Sequence, residues 1–245
     1  MAKLKRHREL IAAAKNLREQ MAGLRFKNPV AHVYNPLEYA WESHKDYLLM
    51  ANSKGVRTLF LGMNPGPWGM AQTGVPFGEI HAVKNWMGIT RKVRKPQSEH
   101  PKRPIEGFDC TRSEVSGRRF WGLFQTRFKK PEHFFREHFV ANFCPLVFME
   151  DTGRNRTPDK LTKSERAEVD RYCGQHLQRI IQILEPSFLV GVGAYAEKQF
   201  HQAAGELNLQ VTITRILHPS PASPAANRDW VGTVEKQLHE SGIWV

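Results

Sequence analysis

The sequence predicts an α/β protein built on a parallel sheet covered by helices on both faces. Two observations carry this: short apolar runs alternate with longer segments of helical periodicity, and each apolar run breaks into a Gly- or Pro-containing turn. The polar motifs cluster at the carboxyl ends of those runs, where open parallel sheets place their binding loops.

Taken in order, Leu10, Ala14, Leu17, Met21 and Leu24 recur at three- and four-residue intervals, predicting an amphipathic helix between His7 and Phe26. A second helix is expected over Pro36–Met50. Val56–Met63 is a buried strand running into a turn, and helical character resumes over Pro76–Gly88. A helix is expected at Arg118–Phe128. Further strands are expected at His138–Phe143, Ser187–Gly193 and Val211–Leu217, with helices at Leu161–Leu184, Ala194–Gly205 and Asn227–Ser241. Thr90–Gly117, with seven Lys/Arg and three Pro, and the polar Glu150–Lys160 read as basic surface loops able to track phosphates. No repeat or linker divides the chain. One domain over residues 1–245 is expected, its first 26 residues forming the amphipathic helix.

Composition narrows the function classes. With 36 Lys+Arg against 24 Asp+Glu the formal net charge is +12, a surplus that points to a polyanionic partner, nucleic acid before anionic lipid. Charge alone does not separate DNA from RNA. No apolar stretch approaches the roughly 20 residues needed to span a bilayer, so no membrane partner is expected. The basic N-terminus lacks an apolar signal core, contains Glu9 and Glu19, and has no Ser before Ser43. The expected location is therefore the nucleus in a eukaryote or the nucleoid-bearing cytoplasm in a bacterium. Cys110, Cys144 and Cys173 are too few and too widely spaced for a disulfide framework, a four-cysteine metal site or an iron–sulfur cluster. Reduced, buried thiols and a chain without cofactor or metal are expected.

The segment Gly62-Met63-Asn64-Pro65-Gly66-Pro67-Trp68-Gly69-Met70-Ala71-Gln72-Thr73-Gly74-Val75-Pro76-Phe77-Gly78 holds five Gly and three Pro in seventeen residues. It describes a rigid path whose main-chain amides line a pocket. Phe77 and Trp68 offer flat faces for stacking, or for core packing, and Asn64 offers an amide just past a strand. No phosphate-loop or dinucleotide pattern is present, so a small planar ligand is favoured over a phosphate. Near the C-terminus, His218-Pro219-Ser220-Pro221-Ala222-Ser223-Pro224 follows the last strand directly. It places a histidine at a strand end and a proline-stiffened loop suited to pressing into a base stack.

These two motifs, with Asn142-Phe143-Cys144-Pro145-Leu146 between them, resemble the single-strand-selective monofunctional uracil-DNA glycosylases, a branch of the uracil-DNA glycosylase superfamily. The resemblance spans about Pro36 to Trp230. It implies a three-layer α/β/α domain with a short, mainly parallel central sheet, and a monomer acting on single- and double-stranded DNA. The implied reaction flips uracil out of the stack and hydrolyses its N-glycosidic bond, leaving an abasic site. The implied catalytic residues are Asn64, which positions the attacking water, and His218, which stabilises charge on uracil O2. Met63, Gly66, Met70, Phe77 and Asn142 form the substrate-binding wall: Phe77 stacks on the base, Asn142 reads its edge, and the Gly66–Met70 backbone lies near C5, where 5-hydroxymethyluracil and related bases are admitted. Pro219, Ser220, Pro221, Ala222, Ser223 and Pro224 form the wedge.

An amide at Asn142 can pair with both O4 and N3–H of uracil and mismatches cytosine. Asn64 is a weak base, so slow chemistry is expected beside relatives with Asp at this place. No Lys lies in either motif to form a Schiff base, so strand cleavage is not expected. His7-Arg8-Glu9 mimics part of a zinc-deaminase pattern, but no Pro-Cys-x-x-Cys accompanies it. Vertebrate members carry Arg at the position of Ala222. Weaker duplex activity is therefore expected here, unless Arg228 substitutes. The alternatives are a superfamily glycosylase with another main lesion, such as xanthine, and a non-catalytic reader of damaged or abasic DNA.

Overall fold

A computed structural model of the chain describes residues 2–245. In chain order the elements are α1 (Ala2–Ala22), β1 (His32–Tyr34), α2 (Pro36–Tyr39), α3 (Trp41–Leu48), β2 (Thr58–Gly62), α4 (Met70–Thr73), α5 (Val115–Phe128) and α6 (Pro131–Phe135). There follow β3 (His138–Asn142), β4 (Val147–Met149), β5 (Asn155–Arg156), α7 (Lys163–Leu184), β6 (Phe188–Val192), α8 (Ala194–Glu206), β7 (Thr212–Ile216) and α9 (Pro224–Glu240).

Four strands form a wholly parallel sheet in the order β3-β2-β6-β7, as the alternating pattern predicts. On one face Tyr47 of α3 stacks obliquely over Phe139 and donates its hydroxyl to Val140 O, while Gly191 of β6 lets α8 approach closely. On the other face Phe60 of β2 meets Phe120 and Phe124 of α5 edge-on, and α9 packs beside α5. The result is three layers. Truncating a fully buried ring such as Phe60 or Phe124 costs about 3–5 kcal/mol, so this aromatic seam fixes α5 against the sheet.

Several boundaries differ from the sequence reading, for identifiable reasons. The N-terminal helix begins at Ala2 and ends at Ala22, before Gly23; Leu10, Ala14, Leu17 and Met21 are buried as predicted, while Leu24 lies beyond the helix. The expected Pro36–Met50 helix breaks at Ala40, where Asn35 caps one short helix and the chain restarts at Trp41. Pro76–Gly88 is helical only from Ile80 to Trp86, and mostly as a wide π-type turn. Helix α5 starts at Val115, before the expected Arg118, and the short α6 went unpredicted.

The largest omission is a second sheet, β1-β4-β5, wholly antiparallel. It takes Asn155–Arg156 out of the expected Glu150–Lys160 surface loop. Its strands are two or three residues long, too short to show a period. Thr90–Gly117 is likewise no free loop, since Ile105, Gly107 and Cys110 are buried. Helix α7 opens on a capping box, with Thr162 and Glu165 satisfying each other's backbone N–H groups. Helix α9 starts three residues earlier than expected, capped by Ser223 with Pro224 in its first turn, and kinks at Asp229. All three cysteines are free and buried. No described helix is long and apolar enough to cross a membrane.

Three histidines sit in this core. His44, His138 and His176 are each pushed down from 6.5 to about 4, first by burial. The unfolded chain takes up these protons below pH 6.5, whereas the folded chain resists them until about 4. Their contribution is therefore complete above 6.5 and is lost as the pH falls toward 4. The urea midpoint should decline through that window. His138→Phe, whose ring would lie among Phe60, Phe128 and Phe134, should show a shallower decline. Equal slopes for wild type and variant would contradict this assignment.

Candidate active site

The carboxyl ends of the four parallel strands converge. Gly62 ends β2 and is paired in register with Asn142, the last residue of β3. Beyond them Phe143 N–H donates to Gly62 O and Cys144 N–H to Met63 O, both at 2.9 Å, so the two chain ends travel together into the loops. His218 follows β7 by two residues, with its Cβ packed over Gly193 after β6.

The Gly62–Gly78 path is held from all sides by side chains. The Gln72 amide is fully buried: Nε2 donates to Pro67 O and Pro104 O, while Oε1 accepts from the N–H groups of Glu106 and Gly107. Tyr39 donates to Ala71 O, Trp121 to Pro76 O and Thr73 to Gly78 O, and a ring nitrogen of His44 lies 2.8 Å from Gly74 O. These bonds seat Phe77 with φ at 53°, in the left-handed region that costs a non-glycine residue energy. The Phe77 ring lies parallel to Phe120, with centroids 4.5 Å apart and 13° between planes.

Met63, Asn64, Gly66, Met70, Phe77, Asn142, His218 and Ser220 all line one cavity of about 210 Å³. Pockets for drug-sized ligands run to about 300–1,000 Å³, so this one suits a single planar ring. A Cβ on Gly62 would overlap Asn142 Oδ1 and lie 2.7 Å from the Phe77 ring. Glycine at that place is what allows ring and amide to share the pocket floor.

The hydrogen-bond partners fix how each polar group is presented. Asn64 Nδ2 donates to Pro65 O at 3.3 Å and Leu146 O at 3.2 Å, leaving Oδ1 as an acceptor. Asn142 Nδ2 points at the Met70 thioether, 3.3 Å away, a weak acceptor that yields readily to a better one. His218 Nδ1 accepts the N–H of Ser220 at 3.1 Å. That bond puts the proton of the neutral ring on Nε2, and burial pulls the ring pKa below its ordinary value. The site thus offers a neutral imidazole N–H donor, a point the sequence leaves open.

The remaining expected residues divide. Ala222 and Arg228 are exposed and outside the cavity wall, and Pro224 already belongs to α9. Trp68 offers its ring neither to the cavity nor to the core: the guanidinium groups of Arg103 and Arg112 lie over it, 5.3 and 4.8 Å from the centroid. No group of three or more His, Cys, Asp or Glu side chains among the described residues could hold a metal ion.

The family model described as the uracil DNA glycosylase superfamily matches residues 51–239. The chain is 46% identical over 227 residues to the rat single-strand selective monofunctional uracil-DNA glycosylase, covering 93% of this chain and 82% of the relative. The bovine protein of the same description gives 46% over 227 residues, covering 93% and 84%. The crystal structure of wild-type Pedobacter heparinus SMUG2 superposes with a TM-score of 0.67 at 16% identity, covering 94% of this chain and 97% of that one, a likeness of fold.

Glu114, Ser116, Asn155 and Thr157 also line the cavity, and the sequence singled out none of them. An acidic residue just before a helix reads as a cap. Glu114 occupies that position at α5 but makes no capping bond, turning instead against Gly66 and Gly69, where any Cβ would collide with its carboxyl. Burial, with the charge of Glu79 adding, pushes that carboxyl up from 4.5 to about 7, against the Gly66 N–H that favours the anion. A raised carboxyl contributes its full stability below 4.5, where both states hold the proton, and loses it as the pH rises from there to about 7. Glu114→Gln should therefore melt higher than wild type at pH 8.5, by about 2–4 °C per kcal/mol recovered, and show little of that gain at pH 4, below the carboxyl's ordinary value of 4.5. The same difference at both pH values would count against a proton-bearing Glu114.

Proposed function

Because the chain belongs to the uracil DNA glycosylase superfamily, in its single-strand-selective monofunctional branch, we propose that it excises uracil from DNA by hydrolysis and leaves an abasic site. The observation that carries the reading is the convergence of Asn64, Phe77, Asn142 and His218 on one ring-sized cavity at the sheet's carboxyl edge.

The geometry supports a role for each residue. Phe77, backed by Phe120, offers its other face to the flipped base. Asn142 has one amide proton on a poor acceptor and Oδ1 free, which matches uracil O4 and N3–H; cytosine would leave both groups mismatched, at roughly 1–3 kcal/mol each. Breaking the N-glycosidic bond drives negative charge onto the base. His218 Nε2–H is the donor for O2, and one well-placed donor in a dry site is worth about 3–4 kcal/mol in related anion-stabilising cases. Asn64 Oδ1 accepts a hydrogen bond from the attacking water and orients it. An amide oxygen is too weak a base to remove that proton, so the chemical step is slow beside a carboxylate at this place.

Gly66 and Gly69 leave main chain and the Glu114 carboxyl along one wall, which supports admission of 5-hydroxymethyluracil and similar bases beside uracil. Arg103 and Arg112, held on Trp68, are the cations for DNA phosphates. The loop from Pro219 to Ser223, with the first turn of α9, is the wedge. Ala222 has no side chain to fill the vacated stack, so activity on duplex is weaker than on single strands unless the exposed Arg228 fills in.

Fluorescent oligonucleotides carrying uracil, 5-hydroxymethyluracil or xanthine, single- and double-stranded, test this reading. Wild type should release uracil, and the strand should break only after alkali treatment. Asn64→Ala/His218→Ala should lower single-turnover release by at least about a thousandfold. Undiminished release by the double variant would overturn the site assignment. Binding to abasic DNA with no release of any base would make the chain a reader.

A further inference from the structure

Arg119 lies on α5 and reaches toward the loop after β7. Its Nη1 donates to Pro219 O at 3.2 Å and Ser220 O at 3.5 Å, and its Nη2 donates to Asn227 Oδ1 at 2.9 Å. Asn227 in turn donates Nδ2 to Pro221 O at 2.8 Å. One guanidinium and one amide thus hold three successive carbonyls of a loop with no regular structure. The loop's prolines supply no N–H groups of their own. Ser220 is the junction: its carbonyl takes Arg119 while its N–H donates to His218 Nδ1. Among the described residues Arg119 enters no ion pair. Among the described residues its charge is met only by neutral oxygens.

We propose that Arg119 is a positioning residue: it clamps the Pro219–Ser223 loop to α5 and, through Ser220, orients the His218 ring and fixes which of its nitrogens carries the proton. This rests on the reading that His218 stabilises the departing base. A planar fork reaches two carbonyls and an amide at once, whereas a lysine ammonium carries the same charge but cannot span them. Arginine and lysine at this place therefore separate geometry from charge. Misplacing a catalytic group by 1 Å can cost about a hundredfold, and the loop also has to force a base out of a duplex. With Ala222 at its tip, a rigid main chain is the wedge's means of doing so.

Arg119→Lys and Arg119→Gln, assayed for single-turnover uracil release on single-stranded and duplex oligonucleotides, test the clamp alongside melting temperature and the ¹⁵N signals of the His218 ring. Arg119→Lys should lose at least about tenfold on duplex, with a smaller loss on single strands and an unchanged melting temperature. Arg119→Gln should lose on both. In both variants the His218 signals should shift from one tautomer to a mixture. Wild-type rates and an unmixed tautomer in both variants would overturn the proposal. So would equal losses on both substrates that follow a fall in melting temperature and leave the His218 signals unmoved. The ring signals need no turnover. If wild type released no uracil the functional reading would fail, and the clamp would still be decided by the tautomer.

Discussion

The site depends on how the main chain between Gly62 and Gly78 finds hydrogen-bond partners inside the protein. A segment so rich in Gly and Pro forms little regular structure, yet it runs through the interior, where each unpaired peptide group costs about 1–3 kcal/mol. Tyr39, His44, Thr73 and Trp121 meet four of the segment's carbonyls, and Gln72 ties it to a second segment. Its amide makes four bonds, the full capacity of its two N–H groups and two lone pairs. It ties the loop's own Pro67 to Pro104, Glu106 and Gly107 of a segment thirty residues away. Because the bonds are mutually dependent, the loop has one conformation, and Asn64, Met70 and Phe77 inherit their positions from it.

Sheet register and aromatic packing transmit that order across the pocket. Parallel pairing sets Gly62 opposite Asn142, so the amide proposed to read the base edge stands beside the loop proposed to hold its face. Phe60 on β2 supports Phe120 on α5, and Phe120 supports Phe77. The stacking surface is the outer end of a column that begins in the core. Helix α5 therefore serves three parts of the site: Phe120 under the ring, Glu114 at its start, and Arg119 on the wedge loop. A displacement of this helix would disturb the Phe77 ring, the Gly66 wall and the loop after His218 together.

Much of this could be read from the sequence, and what could not has physical causes. The parallel sheet was legible because its strands are five residues long, three of them largely buried and the fourth, the edge strand β7, still carrying the apolar Ile213 and Ile216, each followed by a turn signal. Asn64, Phe77 and His218 stood out because each follows a strand or lies in a motif of unusual composition, whereas Asn142 was marked by the family resemblance. The antiparallel sheet escaped because two or three residues carry no period. Glu114 escaped because its place before a helix imitates a cap, and nothing local says that its side chain turns inward. Gln72 was visible within the motif without a role, since its partners are set by folding rather than by spacing. Trp68 was read as a stacking surface or core; only the three-dimensional approach of Arg103 and Arg112 shows that its ring belongs to two cations.

The electrostatics of the site oppose those of the surface. The chain carries a formal charge of +12, yet the groups that would meet the base are uncharged or nearly so: two amides, an imidazole held neutral, and a carboxyl poised near 7. This division follows from the two tasks. Holding DNA requires cations outside, where phosphates remain partly hydrated and salt screens them. Holding uracil requires groups that fit a neutral ring in its ground state without paying for a buried charge. Charge should appear inside only as the bond breaks, and an oriented N–H that is short of a partner until that moment favours the transition state over the bound substrate. A protonated His218 would attract the anion more strongly, but it would have to surrender the Ser220 N–H that aims it. Asn64 follows the same logic, with both amide protons committed to carbonyls and only an acceptor left for water. On the proposed reading, the site would gain its selectivity from fixed orientation, at the expense of a weak base.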